Sequence, residues 1–377
     1  MTHDANIRFQ RIGEKIDNKE LPPEQSIELN KLISRKISAV RKSVKPSSCL
    51  YCGATNLPFC NSHMVPEFCL RAIDIDGVGE VNGPNIIMGL PNIGVSLSKE
   101  TLGINESGTF RQICRACDSK IFSTYENPDI YPTLTEPTSK MLAEIAMKNY
   151  LKFIDKRTLE IALYEEMLKS VSVDFLGFSM RKRLSEYDLR CYLKSYNKAK
   201  KLSQKPQNDG YYLIYYKLLD YVAPIAIQSP IALASDLEGN TVNQILNDDK
   251  NYSPHDLHLC VFPLKTKTAI IMFIDDGAKC YRKFYKQFRK LTEEDKLGVI
   301  NYIIFLYTED YFLAKKLQSS VDMMQFHQVS TLTPNLYSSI PNPPNKYAAL
   351  NEQFNLARWK IIPNLLSEQY KLSTDIE

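Results

Sequence analysis

Two pairs of cysteines at one spacing constrain this chain more than any other feature. Cys49 and Cys52 lie in CLYC, and Cys114 and Cys117 lie in CRAC. A Cys-x-x-Cys knuckle places two thiolates on one tight turn, facing one point. Two knuckles supply four soft ligands in a tetrahedron, which is what a structural zinc ion requires. Gly53 follows the first pair directly, and a small residue there lets backbone amides approach the sulfurs. Buried, unligated cysteines are the plain alternative. They would account for one pair more easily than for two pairs alike. Cys60 and Cys69 lie close to the knuckles and could compete as ligands, but read better as packed thiols.

The residues between the knuckles carry the candidate chemistry. Asn61-Ser62-His63-Met64-Val65-Pro66 ends an apolar, strand-like run, and Phe110 to Ile113 reads as a second strand entering the second knuckle. Asp118 to Tyr125 holds neither Pro nor Gly and suits a helix starting at that knuckle. Glu126 lies eight residues beyond Asp118. On a continuous helix that is about two turns, so both carboxylates could share a face. A solvated helix end is the plain alternative for Glu126. His63 could instead complete the zinc site or pack beneath it.

This combination resembles the HNH nucleases and their ββα-metal fold. The similarity is to a bacterial branch with C-x2-C, S-H-x-x-P-E-F, C-x2-C-[DE] and Y-E. Here those pieces are Cys49/Cys52, Ser62-His63 with Pro66-Glu67-Phe68, Cys114/Cys117-Asp118 and Tyr125-Glu126. The resemblance implies that His63 is the general base taking a proton from the attacking water. It also implies a divalent metal, Mg2+ or Mn2+, at the scissile phosphate. Asp118 would be its oxygen ligand, with Glu126 and Ser62 beside it. The chain departs from the family at two places. Ser62 stands where an acidic residue or histidine is usual, and Asp118 where His or Asn is common.

The expected fold class is α+β: a zinc-stabilised ββα-metal (HNH-like) N-terminal domain, then a helical and α+β C-terminal module. The expected divisions are a basic helical arm over 1–46, the zinc-knuckle domain over 47–136 and the C-terminal module over 137–377. A chain of 377 residues, 44% hydrophobic and 24% charged, is long enough for two folded domains. Its net charge of +4 does not by itself announce a nucleic-acid binder. Nine cysteines, four of them in knuckles, fit a reducing cytoplasm better than a disulfide framework. The N-terminal stretch has no apolar core of a signal peptide. No apolar run nears the ~20 residues that span a bilayer, so a soluble cytoplasmic protein is expected.

Local patterns complete the reading. Ile27, Leu29, Leu32, Ile33, Ile37 and Val40 form a helical stripe, with Lys31, Arg35, Lys36, Arg41, Lys42 and Lys45 on its outer side. Glycines between Asp76 and Gly103 punctuate short apolar runs and predict hairpins. Helices are expected around Met141 to Phe153, Leu159 to Val171 and Leu184 to Leu202. From Met141 to Lys205 fourteen Lys and Arg face eight Asp and Glu, a balance of +6, densest at Arg181-Lys182-Arg183. That is either a solvated face or a phosphate-contacting surface.

Val222 to Leu233, Leu257 to Pro263 and Thr268 to Ile274 read as strands. Tyr281, Phe284, Tyr285 and Phe288 repeat at helical spacing and suit the core. Leu297 to Leu317 and Phe354 to Tyr370 read as helices. Two functions from different classes follow. One is an endonuclease hydrolysing DNA phosphodiesters, with RNA not excluded, similar to bacterial defence nucleases. The other is a non-cleaving, zinc-dependent nucleic-acid-binding or sensor protein. The C-terminal module could serve a protein partner or a second copy of the chain.

Overall fold

The computed structural model describes residues 31, 35–82, 89–90, 95–96, 101–169, 178–205, 210–245, 247, 249, 251–308, 310–319, 321–330 and 351–373. Most of the arm expected over 1–46 therefore lies outside the described residues. Its described part is helical over 35–43, and Lys36 pairs with Glu166 at 3.1 Å.

One antiparallel sheet organises the molecule. Its strands are β2 (Glu80–Asn82), β5 (Thr101–Gly103), β7 (Tyr211–Leu219), β8 (Ile225–Ile231), β9 (Leu257–Pro263), β10 (Thr268–Asp275) and β11 (Tyr311–Leu313). Their order is β5-β2-β11-β8-β9-β10-β7. β2 and β5 come from the segment expected at 47–136, and the other five from 137–377, so one sheet runs through both. β3 (Gly89–Leu90) and β4 (Val95–Ser96) form a separate pair, as do β1 (Ser62–His63) and β6 (Thr109–Phe110).

Successive strand residues point to opposite faces, and here both faces are buried. Leu257, Leu259 and Val261 of β9, with Ile270, Met272 and Ile274 of β10, enter one core. Cys260 and Phe262, with Ala269, Ile271 and Phe273, enter the other. This is why the strands read as unbroken apolar runs. The first core is covered by α5 (Arg282–Phe288), α6 (Glu293–Tyr307) and the C-terminal segment, and Phe284 and Phe288 lie in it as their spacing predicts. The second core is covered by the cysteine-bearing region, α1 (Glu67–Ile73), α2 (Arg115–Ile121), α3 (Ser139–Leu168) and α4 (Phe178–Gln204). α7 (Met323–Ser330) contacts α6.

Four expectations shift. The helices expected near Met141 and Leu159 are one 30-residue α3, since no Pro or Gly interrupts them. The long helix expected from Leu297 stops at Tyr307. Thr308 is extended (φ −133°, ψ 150°), and Tyr311–Leu313 then joins the sheet as β11. Phe354 to Tyr370 holds only short 3-10 turns, at Leu356–Ile361 and Glu368–Tyr370, with Pro363 between them. The helix expected over Asp118 to Tyr125 is α2, which starts earlier and ends at Ile121. Among the described residues no helix is long and apolar enough to cross a membrane.

Candidate functional site

The two knuckles meet. The ligand atoms of Cys49, Cys52, Cys114 and Cys117 all lie within 4.8 Å of one another. Four sulfurs tetrahedral about zinc, each about 2.3 Å from the ion, would stand about 3.8 Å apart, so a small contraction suffices. Gly53 takes φ +74°, closing the first turn so that its N–H donates to the Cys49 carbonyl at 2.8 Å. The second knuckle enters through a bridge from Phe59 to Cys114. The Cys114 N–H donates to the Cys49 sulfur at 3.3 Å.

Burial alone would raise the Cys49 thiol. Backbone N–H groups of Cys52, Cys114 and Tyr51, with the Cys52 thiol, outweigh it and bring Cys49 down to about 7. Cys117 moves the other way, through burial and its bonds to the neighbouring thiols. Four cysteine sulfurs brought this close could hold a thiophilic metal such as zinc. A second observation agrees. Tyr196 is buried, its hydroxyl has no hydrogen-bond partner, and these cysteines are among the charges it senses. Cys60 and Cys69 stay outside the cluster. Cys69 is fully buried and held neutral by that burial, as a packed thiol would be.

α4 grips the first knuckle. Tyr196, Lys200 and Gln204 recur every four residues and share a helix face. The Lys200 ammonium donates to the Tyr51 carbonyl and sits 4.5 Å from the centre of its ring. Gln204 Nε2 donates to the Tyr51 hydroxyl at 3.1 Å.

Beside this cluster, β1 pairs with β6, with Ser62 opposite Phe110 and His63 opposite Thr109. Neighbouring strand residues face opposite ways. Ser62 turns inward, and its hydroxyl donates to Asp118 Oδ1. His63, half-buried, turns to the Ile104 carbonyl, 2.9 Å from its Nε2. A carbonyl can only accept, so Nε2 carries the proton and Nδ1 is left as the acceptor. Lys152 Nζ donates at 3.2 Å to the carbonyl of Thr109, the residue facing His63. Burial lowers the pKa of Lys152, while Asp310 and Asp155 raise it and Lys156 and Arg41 lower it further.

Glu126 reaches Asp118 by a route other than the expected helix face. α2 has ended by then, and the Glu126 N–H closes a turn onto the Phe122 carbonyl at 3.0 Å. Lys148 of α3 joins the two acids. Its ammonium pairs with Glu126 Oε1 and lies 3.9 Å from Asp118 Oδ1. It also sits 4.4 Å over the Phe122 ring, and the residue is 2% exposed. The Tyr125 hydroxyl adds a 3.4 Å bond to Glu126. Tyr125 is itself fixed by its ring on Phe262 of β9 and by the Tyr131 hydroxyl on its carbonyl, 2.7 Å away.

Asp118, Glu126 and Ser62 are therefore brought together, and His63 is their chain neighbour on the opposite face. Among the described residues the one group of three or more His, Cys, Asp or Glu placed to hold a metal is the four-cysteine cluster. The second ion that the resemblance implies, Mg2+ or Mn2+, does not fit Asp118 and Glu126 as they stand, because an ammonium already lies between them. Lys148 was not singled out from sequence. The available signal was a lysine four residues after Glu144 in an otherwise apolar helical run.

The network continues into the sheet. Gln228 Nε2 donates to Asn149 Oδ1, and Asn149 Nδ2 to His258 Nδ1, each at 2.9 Å. His258 Nε2 therefore carries the ring proton and donates to the Tyr150 hydroxyl at 3.2 Å, which donates to Asp256 at 3.1 Å. His258 is stacked 4.6 Å from Phe273, and burial lowers its pKa to about 3. It is a satisfied core histidine.

No protein-family model matches this chain, and neither a curated protein nor a solved structure matches it significantly.

Proposed function

We propose that this chain acts on nucleic acid through a zinc-stabilised core of the HNH type, hydrolysing phosphodiesters of DNA with His63 as general base. The observation that carries this reading is the His63 to Ile104 bond. By holding the proton on Nε2, it leaves Nδ1 as the basic atom, on a strand beside the four-cysteine cluster. Histidine is the side chain that exchanges protons near neutral pH, which suits a base. A water bonded to Nδ1 would lose its proton to the ring as its oxygen attacks phosphorus, the P–O bond to the leaving sugar oxygen would break, and that oxygen would take a proton from solvent. Zinc at the four cysteines would hold the knuckles and hairpin in place and takes no part in the chemistry.

A second reading has its own support. Lys148 occupies the place between Asp118 and Glu126 where a catalytic ion would sit, which favours a protein that grips nucleic acid without cutting it. One experiment separates the two. Purified zinc-loaded chain is incubated with supercoiled plasmid, with and without added Mg2+, alongside His63→Ala. A general base contributes on the order of 100- to 10,000-fold in rate. The variant should lose cleavage while keeping its zinc and its DNA binding. Equal cleavage by both proteins would remove His63 from the chemistry. Binding without cleavage by the wild type would establish the second reading.

A further inference from the structure

We propose that Lys148 is a built-in cation standing where a divalent ion would bridge Asp118 and Glu126. The site is then metal-independent as it exists, and a latent divalent-ion site once the lysine is removed. The geometry around one nitrogen carries this. Lys148 Nζ contacts Glu126 Oε1, lies 3.9 Å from Asp118 Oδ1 and faces the Phe122 ring at 4.4 Å. An ammonium has three donors and no acceptor. One is donated to Glu126, Asp118 lies within ion-pair range, and the ring's negative face receives part of the remaining positive charge.

Lys148 is not a surface lysine that swings in by chance. It is 2% exposed, and the next residue, Asn149, is locked by Gln228 and His258. Those bonds set the rotation of α3 and so the direction of Lys148. The carboxylates are held as firmly. Ser62 donates to Asp118, and Tyr125, packed on β9, donates to Glu126. Hard oxygen ligands on two converging acids are what Mg2+ or Mn2+ takes up. The ammonium occupies that bridging position and offsets one of the two negative charges, so an ion would have to displace it. The consequence for the proposed function is that any cleavage at His63 needs no added Mg2+ or Mn2+.

Manganese as the free ion is the probe, added to the zinc-loaded full chain and followed by electron paramagnetic resonance. Zinc stays on the thiolates, because soft sulfur ligands disfavour manganese. Wild type should bind no Mn2+ beyond the level shown by Asp118→Asn. Lys148→Met should gain one Mn2+ per chain, about tenfold or more tighter than wild type. That gain should vanish in Lys148→Met combined with Asp118→Asn. A wild-type Mn2+ signal abolished by Asp118→Asn would overturn the proposal, as would a folded Lys148→Met that gains no ion. If Lys148→Met does not fold, the wild-type titration against Asp118→Asn still decides. No measurement here uses DNA, so the outcome is independent of whether the chain cleaves.

Discussion

The four-cysteine cluster and the Lys148 site are neighbours built from the same stretch of chain, yet they collect opposite charges. In the first, thiols from two knuckles converge, and backbone N–H groups lower one of them toward ionisation. The second brings together two carboxylates whose neutralising cation is supplied by the protein. What separates them is where the compensating charge comes from. Four converging cysteine sulfurs could hold a structural metal such as zinc. Two acids facing a buried lysine are already half compensated, one positive charge against two negative ones. Resemblance to one family suggests two metals here, and the geometry supports one.

The sharpest way to break this comparison is to disable the first site. Cys114→Ser should lose zinc and, with it, the soluble fold. Structural zinc contributes on the order of 10 kcal/mol of apparent binding energy to small domains. Elemental analysis with thermal unfolding reads this directly, and a stable, zinc-free wild type would remove the contrast altogether.

Breaking the second site should cost less and should not touch zinc. Glu126→Gln leaves Lys148 buried with one carboxylate fewer. Glu126 is about a quarter exposed, so the loss should fall below the ~3–5 kcal/mol of a fully buried pair. Urea unfolding measures it, while zinc content should hold at one per chain. A parallel loss of zinc would mean that the two sites are one unit.

Acid should expose the wall behind Lys148. His258 is held neutral with its pKa lowered to about 3, against about 6.5 unfolded. The unfolded chain therefore binds the extra proton between those values. Stability from this group is present above about 6.5 and is lost as pH falls toward 3, by at most about 1.4 kcal/mol per unit. Asp256, raised to about 7 by burial, contributes the opposite slope over the same window. Comparing wild type with His258→Gln at each pH isolates the histidine, and the variant should lack its share of the acid sensitivity. Identical pH profiles would contradict a buried neutral imidazole.

A smaller effect is expected from Tyr196→Phe. If the buried hydroxyl donates to a metal-bound sulfur, zinc release to a chelator should speed up by about tenfold, without a change in unfolding temperature. The smallest effect concerns the Arg181-Lys182-Arg183 patch. Lys182 already pairs with Glu165 at 2.9 Å and Glu186 at 3.5 Å. Neutralising the three should leave the salt dependence of DNA binding nearly unchanged, and a reduced slope would return the patch to the phosphate-contacting surface.

What could be read from the sequence by itself is local in origin. Cys-x-x-Cys encodes its own turn, and two such turns with Gly53 pointed to the cluster before any fold was known. Strands β9 and β10 were legible because β-branched and aromatic runs announce burial. The aromatic stripe at Tyr281 to Phe288 was legible because helical periodicity is a property of a few neighbouring residues. The end of α2 at Ile121 was not, since no Gly or Pro marks it. The end of α6 was hidden too, because Tyr311 to Leu313 looks equally apolar as helix or strand and only pairing with β8 decides.

The candidate site divided in the same way. His63, Ser62 and Asp118 were found from short motifs. The Ile104 carbonyl that fixes the His63 tautomer comes from 41 residues away, and the lysine between Asp118 and Glu126 lies 22 residues beyond the latter. The Lys148 contact depends on how α3 packs against β8, and the Ile104 contact on how its turn packs against α1, and no spacing in the sequence encodes either. The sequence determined which groups could ionise or bind metal. Tertiary structure decided which of them met a thiolate, a carbonyl or a buried ammonium, because charge compensation depends on distance in space.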